Sequence, residues 1–310
     1  MVLFSFLDYR IFKNDSYLIL ILYFFCCLAL MGLFFFAPEI RGIKSWYKIG
    51  PISVDPIEFT KIILIILLAK YFSMRHVEMY RIRHIIFSGI YILLPSALIF
   101  FQPDLGSVLI LVTLWILVLI VSGIKIKSFL ALVLCGILLL ALGWGTVLKD
   151  YQKERILNFI YPQEEPLGGG WSQTQSKIAI GSGGLFGQGF GSGSQSQYGF
   201  LPEPQTDFIF SAIAEEFGLF GIIFLLALFL IFILRIIKII FNSEANFPRF
   251  FAFGFAVIIV FQIFINIGMN LGLLPIIGVP LPFVSYGGSG LISFFIGLGI
   301  LQNIKVNQSS

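Results

Sequence analysis

The chain has 310 residues, of which 58% are hydrophobic and only 12% are charged, and its formal net charge is +4. Soluble domains carry about 25% charged residues, so this composition excludes a soluble globular protein and predicts a polytopic membrane protein built of helices. The small net charge is spread over many short loops and does not favour nucleic-acid binding, and two histidines are too few for a histidine-based zinc site or a Ser-His-Asp triad.

Long apolar runs predict eight transmembrane helices, since a span needs about 20 residues. In chain order these spans are 16–38, 57–73, 84–101, 105–122, 128–148, 207–234, 250–272 and 286–304. We therefore expect an all-α polytopic bundle of about eight helices that forms a single membrane domain over residues 1–310. A large loop, residues 149–206, separates the fifth and sixth helices, and loops of this length are usually functional or disordered.

Basic residues are distributed unevenly between the two sets of loops. Twelve basic residues lie in the loops on the side of the two termini, and seven lie in the loops on the other side. The twelve are Arg10, Lys13, Lys70, Arg75, Arg81, Arg83, Lys125, Lys127, Arg235, Lys238, Arg249 and Lys305. The seven are Arg41, Lys44, Lys48, Lys149, Lys153, Arg155 and Lys177. The positive-inside rule then predicts that both termini are cytoplasmic and that the large loop is outside.

Two charged residues enter the second span in the segment DPIEFTKIIL (55–64). Glu58 and Lys61 are three residues apart and share a helix face. Charges inside a membrane normally pair within the bundle or line a polar cavity, so a structural ion pair and a functional cavity are both open. Asp104, in QPDLGS, either caps the next helix or lines one outward-facing cavity with Glu58 and Lys61.

Two Gly-rich segments flank the outer side of the predicted bundle. In GSGGLFGQGFGSGSQSQYGF (181–200), backbone N–H groups can contact a pyrophosphate, although a flexible loop is the plainer interpretation. No strand precedes this segment, so a dinucleotide-binding fingerprint is not expected. The segment GVPLPFVSYGGSGLI (278–292) has small residues that suit close helix packing, and we interpret it as mainly structural.

Asp207 ends the large loop and opens an apolar helix within GFLPEPQTDFIFSAIAEEFGLFG (199–221). One interpretation is a helix N-cap formed by Thr206 or Asp207. The other is a general base at the outer water–lipid boundary, where a carboxylate meets a membrane-anchored substrate and still exchanges protons with water. Glu215 and Glu216 follow inside the span, but at about 100° per residue they do not form one cluster with Asp207.

Five segments together resemble the SEDS family, which includes RodA, FtsW and SpoVE. They are GIKSW, DPIEFTK, QPDLGS, QSKIAIGSGGLFGQGFGSGSQSQYGFLPEPQTDFIFSAIAEEFG and GVPLPFVSYGGSG, and they occur in the family's order and spacing. The resemblance runs from about residue 7 to about residue 304. The GSQSQYGFLPE version of the loop is more similar to RodA than to FtsW.

The resemblance implies a peptidoglycan glycosyltransferase for cell elongation and rod shape in the bacterial cytoplasmic membrane. Such proteins polymerise lipid II, an undecaprenyl-pyrophosphate-linked disaccharide peptide. They work with a class B penicillin-binding protein, which supplies the transpeptidase, and with other membrane proteins of the elongation complex. Asp207 matches the family's essential aspartate, Glu58, Lys61 and Asp104 match polar residues of its central cavity, and Trp46 matches the Trp of its Gly-Ala-Lys/Arg-Arg-Trp motif.

Further candidate substrate contacts are Lys177, Glu203 and Glu215, in the outer loop and the sixth span. The leaving pyrophosphate needs positive charge or hydrogen-bond donors. Lys61, Arg155, Lys177, loop N–H groups or a divalent cation (Mg²⁺ or Mn²⁺) would supply them, although the sequence shows no dedicated metal cage.

The implied reaction inverts the donor sugar. Asp207 takes the proton from the acceptor 4-hydroxyl, whose oxygen attacks the anomeric carbon of the α-linked donor and forms a β-1,4 bond. A lipid II flippase is an alternative, but a transporter places its site at the midplane of inverted repeats, and no repeat is visible. A non-catalytic scaffold is the third function considered, and it would not need a carboxylate at position 207.

The chain also departs from the family pattern. The family usually has ten spans, and the match begins near the end of the second, so we expect either a reading frame that is cut short or a protein that lacks two peripheral helices. Gln205 stands where the family has His before Thr-Asp, and Asp55 replaces the Gln of Gln-Pro-Ser-Glu. Ile43 and Ser45 alter the motif around Trp46.

Overall fold

The structure is a computed structural model that describes residues 5, 8–38, 45–50, 52–75, 82–146, 152, 153, 155, 157, 159 and 169–308. Of the predicted outer loop, residues 149–151, 154, 156, 158 and 160–168 lie outside the described part, as does the loop that contains His76. The described residues form an almost entirely helical protein with one short hairpin. This confirms the expected all-α membrane fold, in which helices satisfy their own backbone hydrogen bonds.

Each of the eight predicted spans corresponds to one long helix. After a short helix α1 (Arg10–Asn14), the long helices are α2 (Ser16–Phe36), α3 (Pro56–Arg75), α4 (Ile82–Phe101), α5 (Leu105–Val121), α6 (Ile126–Thr146), α9 (Ile209–Asn242), α10 (Asn246–Asn270) and α11 (Gly288–Gln308). In the part of the predicted outer loop from residue 169 onward, the structure describes α7 (Gly169–Ser182) and α8 (Ser194–Gln197). The sixth helix extends eight residues beyond its predicted end at 234, because helical backbone can continue past the apolar run into good helix formers such as Arg235 and Lys238.

Among the described helices, six are long and apolar enough to cross a membrane by length and composition, namely α2, α4, α6, α9, α10 and α11. Helix α5 is apolar but has only 17 residues. Helix α3 is long enough, but its charged residues Glu58, Lys61, Lys70 and Arg75 lower its apolar character. Composition alone therefore supports α3 least of the eight predicted spans.

The chain divides into two compact units. The first comprises Met1–Lys125, Ile233–Val260 and Gly287–Ser310, and the second comprises Ile126–Phe232 and Phe261–Tyr286.

Helix α3 lies at the centre of the first unit, where it packs against α2, α4, α5 and α11. Its side chains Leu64, Leu68 and Phe72 are fully buried. A helix that other helices enclose can carry charges that lipid would not tolerate, which explains how Glu58 and Lys61 fit into this span. A hairpin of β1 (Tyr47–Ile49) and β2 (Ile52–Val54), with Tyr47 opposite Val54, leads into α3.

The second unit is built around α7, the segment that follows it and the start of α9. Ala179 of α7, Leu201 and Phe208 form a buried apolar cluster, with Ala212 and Ile276 packed against it. Phe208 is therefore anchored in the core, and it holds the end of the loop where the chain enters α9. Asp207 is placed by this anchor.

Candidate active site

Asp207 lies two residues before the first helical residue, Ile209, and its side chain is half-buried. The N–H of Ala212 donates to the carbonyl of Phe208 at 3.0 Å. Because the N-cap residue is the one whose carbonyl accepts the first helical bond, Phe208 occupies that position. The N-cap prediction for Thr206 or Asp207 is therefore wrong by one or two residues. The cause is that the helix starts later than the apolar pattern suggests.

Hydrogen bonds from other segments hold three successive backbone carbonyls at this point. The Tyr286 N–H donates to the Gln205 carbonyl at 2.8 Å, and the Ser285 hydroxyl donates to the Thr206 carbonyl at 2.7 Å. The Asp207 carbonyl accepts from two side-chain amides of α10, at 3.1 and 3.0 Å. The backbone that carries the Asp207 carboxylate is thus fixed on every residue from 205 to 207.

The Gly-rich segment 278–292, interpreted from sequence as mainly structural, begins beside Asp207. A β-carbon added at Gly278 would lie 3.7 Å from the Asp207 carboxylate oxygen Oδ2. The same segment supplies Ser285 and Tyr286 to the backbone contacts described above. Its role therefore includes shaping the surroundings of the candidate base.

Glu203 organises the turn before Asp207. Its carbonyl accepts from the N–H groups of Thr206 and Phe208, at 3.2 and 3.3 Å, and its backbone takes the left-handed conformation with a φ of 47°. Its carboxylate also accepts from the Thr206 hydroxyl at 3.4 Å. Glu203 therefore shapes the turn, and its contact with the substrate stays a prediction.

Lys177 is exposed on α7, close to the turn that follows α10. A β-carbon added at Gly272 would lie 2.5 Å from the Lys177 amine nitrogen. The preceding residue, Ser176, donates to the Asn270 carbonyl at 2.7 Å. The second unit thus brings a basic side chain to the same end of α10 as the amides that hold Asp207.

The Glu215 carboxylate is fully buried and binds the Gly-rich segment 181–200. Its Oε1 accepts from the Gln195 N–H at 2.7 Å and the Ser194 hydroxyl at 3.3 Å. Its Oε2 accepts from the Ser196 N–H at 3.1 Å and the Ser196 hydroxyl at 2.7 Å. Two backbone N–H groups of this segment, those of Gln195 and Ser196, thus bind a carboxylate of the protein itself, and the pyrophosphate contact stays a prediction.

Part of segment 181–200 packs closely on α9, and the flexibility of the loop stays a prediction. Gly187 and Gly218 both have positive φ, at 81° and 67°, and a β-carbon at Gly218 would lie 2.4 Å from the Gly187 nitrogen. The N–H groups of Gln188 and Gly189 donate to the carbonyls of Glu215 and Glu216. Gly218 interrupts helical geometry within α9, which frees these carbonyls to accept from the loop.

In the first unit, Glu58 and Lys61 form the predicted ion pair. The Lys61 amine donates to Glu58 Oε1 at 2.7 Å. The Lys61 side chain is only 3% exposed and the Glu58 side chain only 10% exposed. The Ser293 hydroxyl donates to Glu58 Oε2 at 3.5 Å, and the Lys61 amine lies 5.9 Å from the centre of the Phe294 ring. Both contacts come from α11, so the pair is compensated by a neighbouring helix as buried charges require.

Asp104 caps α5, as one of its two sequence interpretations predicts. Its carboxylate accepts from the N–H of Ser107 at 3.0 Å and from the hydroxyl of Ser107 at 2.6 Å. Burial raises the pKa of this carboxyl, and the charges of Lys61 and Glu58 also act on it. The cap interpretation of Asp104 is thus confirmed, and its place in an outward-facing cavity with Glu58 and Lys61 stays a prediction.

Asp55, which the sequence analysis noted only as a departure, joins this charged group. Its N–H donates to the Ser289 hydroxyl at 2.9 Å, and its carboxylate accepts from the Ile57 N–H at 2.9 Å. Burial and the negative charge of Glu58 raise the pKa of Asp55 well above its ordinary value. Trp46, the remaining predicted residue of the first unit, is half-buried just before β1.

No group of three or more His, Cys, Asp or Glu side chains in the described part of the chain has the arrangement of a metal site. Four of the predicted site carboxylates are engaged by backbone N–H groups, hydroxyls or Lys61, namely those of Glu58, Asp104, Glu203 and Glu215.

Asn266 and Asn270, whose amides hold the Asp207 carbonyl, are not among the residues predicted from the sequence. Both are fully buried on α10. The available signal was their spacing in FINIGMN (264–270), since two asparagines four residues apart share one face of an otherwise apolar helix. Polar side chains at such positions need partners inside the protein.

Comparison with known proteins gives consistent matches over most of the chain. The profile of the FtsW/RodA/SpoVE family, described as "Cell cycle protein", matches residues 1–310. The peptidoglycan glycosyltransferase MrdB of Escherichia coli K12 is 38% identical over 287 residues, which is 93% of this chain and 77% of MrdB. Stage V sporulation protein E of Bacillus subtilis is 36% identical over 304 residues, which is 96% of this chain and 81% of that protein.

Solved structures match as well. The rod shape determining protein RodA of Thermus thermophilus superposes with a TM-score of 0.71 at 28% identity, covering 99% of this chain and 83% of that one. A chain from a peptidoglycan synthase complex, described under the structural coordination of polymerization and crosslinking, has a TM-score of 0.81 at 30% identity. It covers 99% of this chain and 85% of that chain.

Proposed function

Since the chain belongs to the FtsW/RodA/SpoVE family, we propose that it polymerises lipid II into glycan strands with Asp207 as the general base. The protein is a peptidoglycan glycosyltransferase that acts in cell-wall synthesis and cell shape, like its relatives named MrdB and FtsW. The observation that supports the assignment of the base is the placement of Asp207. Its carboxylate stands at the start of a membrane-length helix, on a backbone that residues 285–286 and α10 hold in place.

In the proposed mechanism, Asp207 removes the proton from the 4-hydroxyl of the acceptor sugar. The oxygen attacks the anomeric carbon of the donor as polyprenyl pyrophosphate leaves, so one bond forms while one breaks and the configuration inverts. Positioned proton transfer contributes about 10²–10⁴-fold to the rate. Alignment of the two sugars and stabilisation of the leaving group supply the remainder.

The leaving pyrophosphate carries negative charge that the site must balance. In the second unit, Lys177 is the candidate that we favour, since it is exposed on α7 beside the end of α10. A divalent cation, Mg²⁺ or Mn²⁺, is the alternative carrier of positive charge, because such ions bind mainly to phosphate oxygens and need few protein ligands. We assign Glu58, Lys61, Asp104 and Trp46 to the substrate cavity on the resemblance alone.

The distribution of basic residues supports the location proposed for this reaction. We place the protein in the bacterial cytoplasmic membrane with both termini in the cytoplasm and Asp207 at the outer boundary. The substrate's lipid tail then stays in the bilayer while its sugars project outward. The proposed partner is a class B penicillin-binding protein that cross-links the new strands, in line with the synthase complex whose chain this one resembles.

The test of the base is the substitution Asp207→Asn, which keeps the size of the side chain but removes the basic oxygen. Polymerisation of lipid II by the purified protein with its transpeptidase partner should fall about 10²-fold or more, at an unchanged level of folded protein. Asp15→Asn is the matched control, because the Asp15 carboxylate only caps α2 through the N–H groups of Tyr17 and Leu18. Near-normal polymerisation by the Asp207→Asn protein would contradict the proposal.

A further inference from the structure

Asn270 bridges two backbone groups at the start of α9. Its Nδ2 donates to the Asp207 carbonyl at 3.0 Å, and its Oδ1 accepts from the Ser211 N–H at 3.2 Å. Residues 207 and 211 are four apart, so an α-helical hydrogen bond would join these same two groups directly. The amide of Asn270 thus stands between them, and Asp207 lies at the opening of the helix rather than inside its first turn.

The second lone pair of the Asp207 carbonyl is also occupied. The Nδ2 of Asn266 donates to this carbonyl at 3.1 Å and to the Val279 carbonyl at 2.8 Å. Asn266 lies one helical turn before Asn270, whose Nδ2 donates to the Asn266 carbonyl at 2.8 Å. A carbonyl oxygen has two acceptor sites, and one amide from each asparagine occupies them, so the backbone of Asp207 is held from two directions.

Further hydrogen bonds set the orientation of the Asn270 amide. The Ser211 hydroxyl donates to Asn270 Oδ1 at 2.5 Å, so that oxygen accepts two bonds from one residue. The Ser176 hydroxyl, from α7, lies 2.6 Å from the Ser211 hydroxyl and 2.7 Å from the Asn270 carbonyl, and it has one proton to donate to either of them. The side chains of Asn266, Asn270, Ser176 and Ser211 all have no exposed surface, and a buried network in which each member is paired holds one geometry.

We propose that Asn266 and Asn270 are positioning residues for Asp207, fixing its backbone so that the carboxylate meets the acceptor hydroxyl. This inference rests on the proposed role of Asp207 as the base. Neither amide needs to touch the substrate, because each acts through the carbonyl of residue 207. A displacement of about 1 Å in a reacting group costs up to about 10²-fold in rate, so loss of either amide should slow the chemical step.

The test measures kcat and KM for lipid II polymerisation by Asn270→Leu and Asn266→Leu, which replace the amide by an apolar group of similar size. Each variant should lose about 10- to 100-fold in kcat per folded molecule, with little change in KM, because the base acts in the transition state. Each substitution is also made together with Asp207→Asn. Once residue 207 is no longer a base, moving its side chain should lower kcat little further. The effects of the two substitutions on kcat should therefore be strongly non-additive.

Asn303 provides the matched control in the first unit. Its Oδ1 accepts from the Tyr9 N–H at 3.0 Å and its Nδ2 donates to the Ser5 carbonyl at 2.8 Å, so it is also a buried amide between two backbone groups. Asn303→Leu should lower the unfolding temperature without changing kcat per folded molecule. If the Asn266 and Asn270 variants behave in the same way, they are merely structural and the inference is wrong.

Ser211→Ala gives a milder perturbation should the leucine variants fail to fold. It removes the 2.5 Å hydrogen bond to Asn270 Oδ1 but leaves both amides, and a smaller loss of kcat is expected. Unchanged kcat in this variant would overturn the inference while Asp207→Asn still abolishes activity. If instead Asp207→Asn remains active, the proposed base itself fails, and the two failures are thereby distinguished.

Discussion

The buried ion pair of Glu58 and Lys61 shows how charged side chains are tolerated in an apolar helix. Each charge is compensated at 2.7 Å by the other, and α11 adds the hydroxyl of Ser293 and the ring of Phe294. Removing one partner leaves the other charge buried and unpaired, which typically costs about 3–5 kcal/mol. Replacing both by neutral residues removes that cost.

We therefore expect that Glu58→Gln and Lys61→Met each clearly lower the unfolding temperature of the protein in detergent. The double variant should recover most of this loss. If the charges also serve catalysis, the recovered double variant should still polymerise lipid II poorly. A double variant with normal polymerisation would make the pair purely structural. Lys48→Met, at an exposed lysine of the hairpin, controls for the loss of a positive charge.

At the scale of elements, segment 181–200 and the first half of α9 form one structure. The segment donates its N–H groups to the helix carbonyls at Glu215 and Glu216, and the Glu215 carboxylate accepts from the start of α8. Close approach of the two backbones is possible because Gly187 and Gly218 lack side chains. The loop that leads to Asp207 is thus attached to the helix that follows it.

Glu215→Gln should loosen this attachment, because an amide accepts hydrogen bonds through only one atom and carries no charge. A hydrogen bond to a charged group contributes about 1.5–3 kcal/mol, so hydrogen exchange of the N–H groups of Gln195 and Ser196 should become about 10- to 100-fold faster. The measurement is hydrogen exchange with mass spectrometry on the peptide around residues 189–200.

Glu216→Gln is the matched control for this experiment, since the neighbouring Glu216 is engaged through its backbone carbonyl, which the substitution retains. Exchange in that variant should match the wild type. Equal exchange in Glu215→Gln and wild type would show that the carboxylate does not hold the loop.

For the whole molecule, sidedness is the property on which the proposed reaction depends most. The uneven distribution of basic residues predicts segment 149–206 outside and the turn after α9 inside. The structure guides the choice of positions for testing this. Ser192 and Glu244 are exposed, whereas Ser243, which lies beside Glu244 in the same turn, is buried and would report poorly.

Single cysteines at Ser192 and Glu244, in a background that lacks Cys26, Cys27 and Cys135, test this orientation with an impermeant thiol reagent. Ser192→Cys should react in intact cells, and Glu244→Cys only after lysis. The cysteine-free protein is the control for background labelling. The opposite pattern would place Asp207 on the cytoplasmic side and contradict polymerisation at the outer face.

Local patterns determined much of the architecture. The eight long helices follow from apolar runs, because length and hydropathy are properties of each segment alone. The Glu58–Lys61 pair and the Asp104 cap were also predictable, since their partners lie three residues away on the same element. Helix ends were less predictable, as the continuation of α9 to Asn242 shows, because the backbone does not stop where the apolar run stops.

Contacts between distant segments were decided only by the tertiary structure. Asn266 and Asn270 reach Asp207 across 59 and 63 residues, and Glu215 reaches Gln195 across 20. Hydropathy shows that a segment is a helix but does not show which helices pack together or which face of each meets a neighbour. The carboxylate at position 207 was therefore visible in the sequence, whereas the amides that hold it became visible only when α7, α9 and α10 were packed around it.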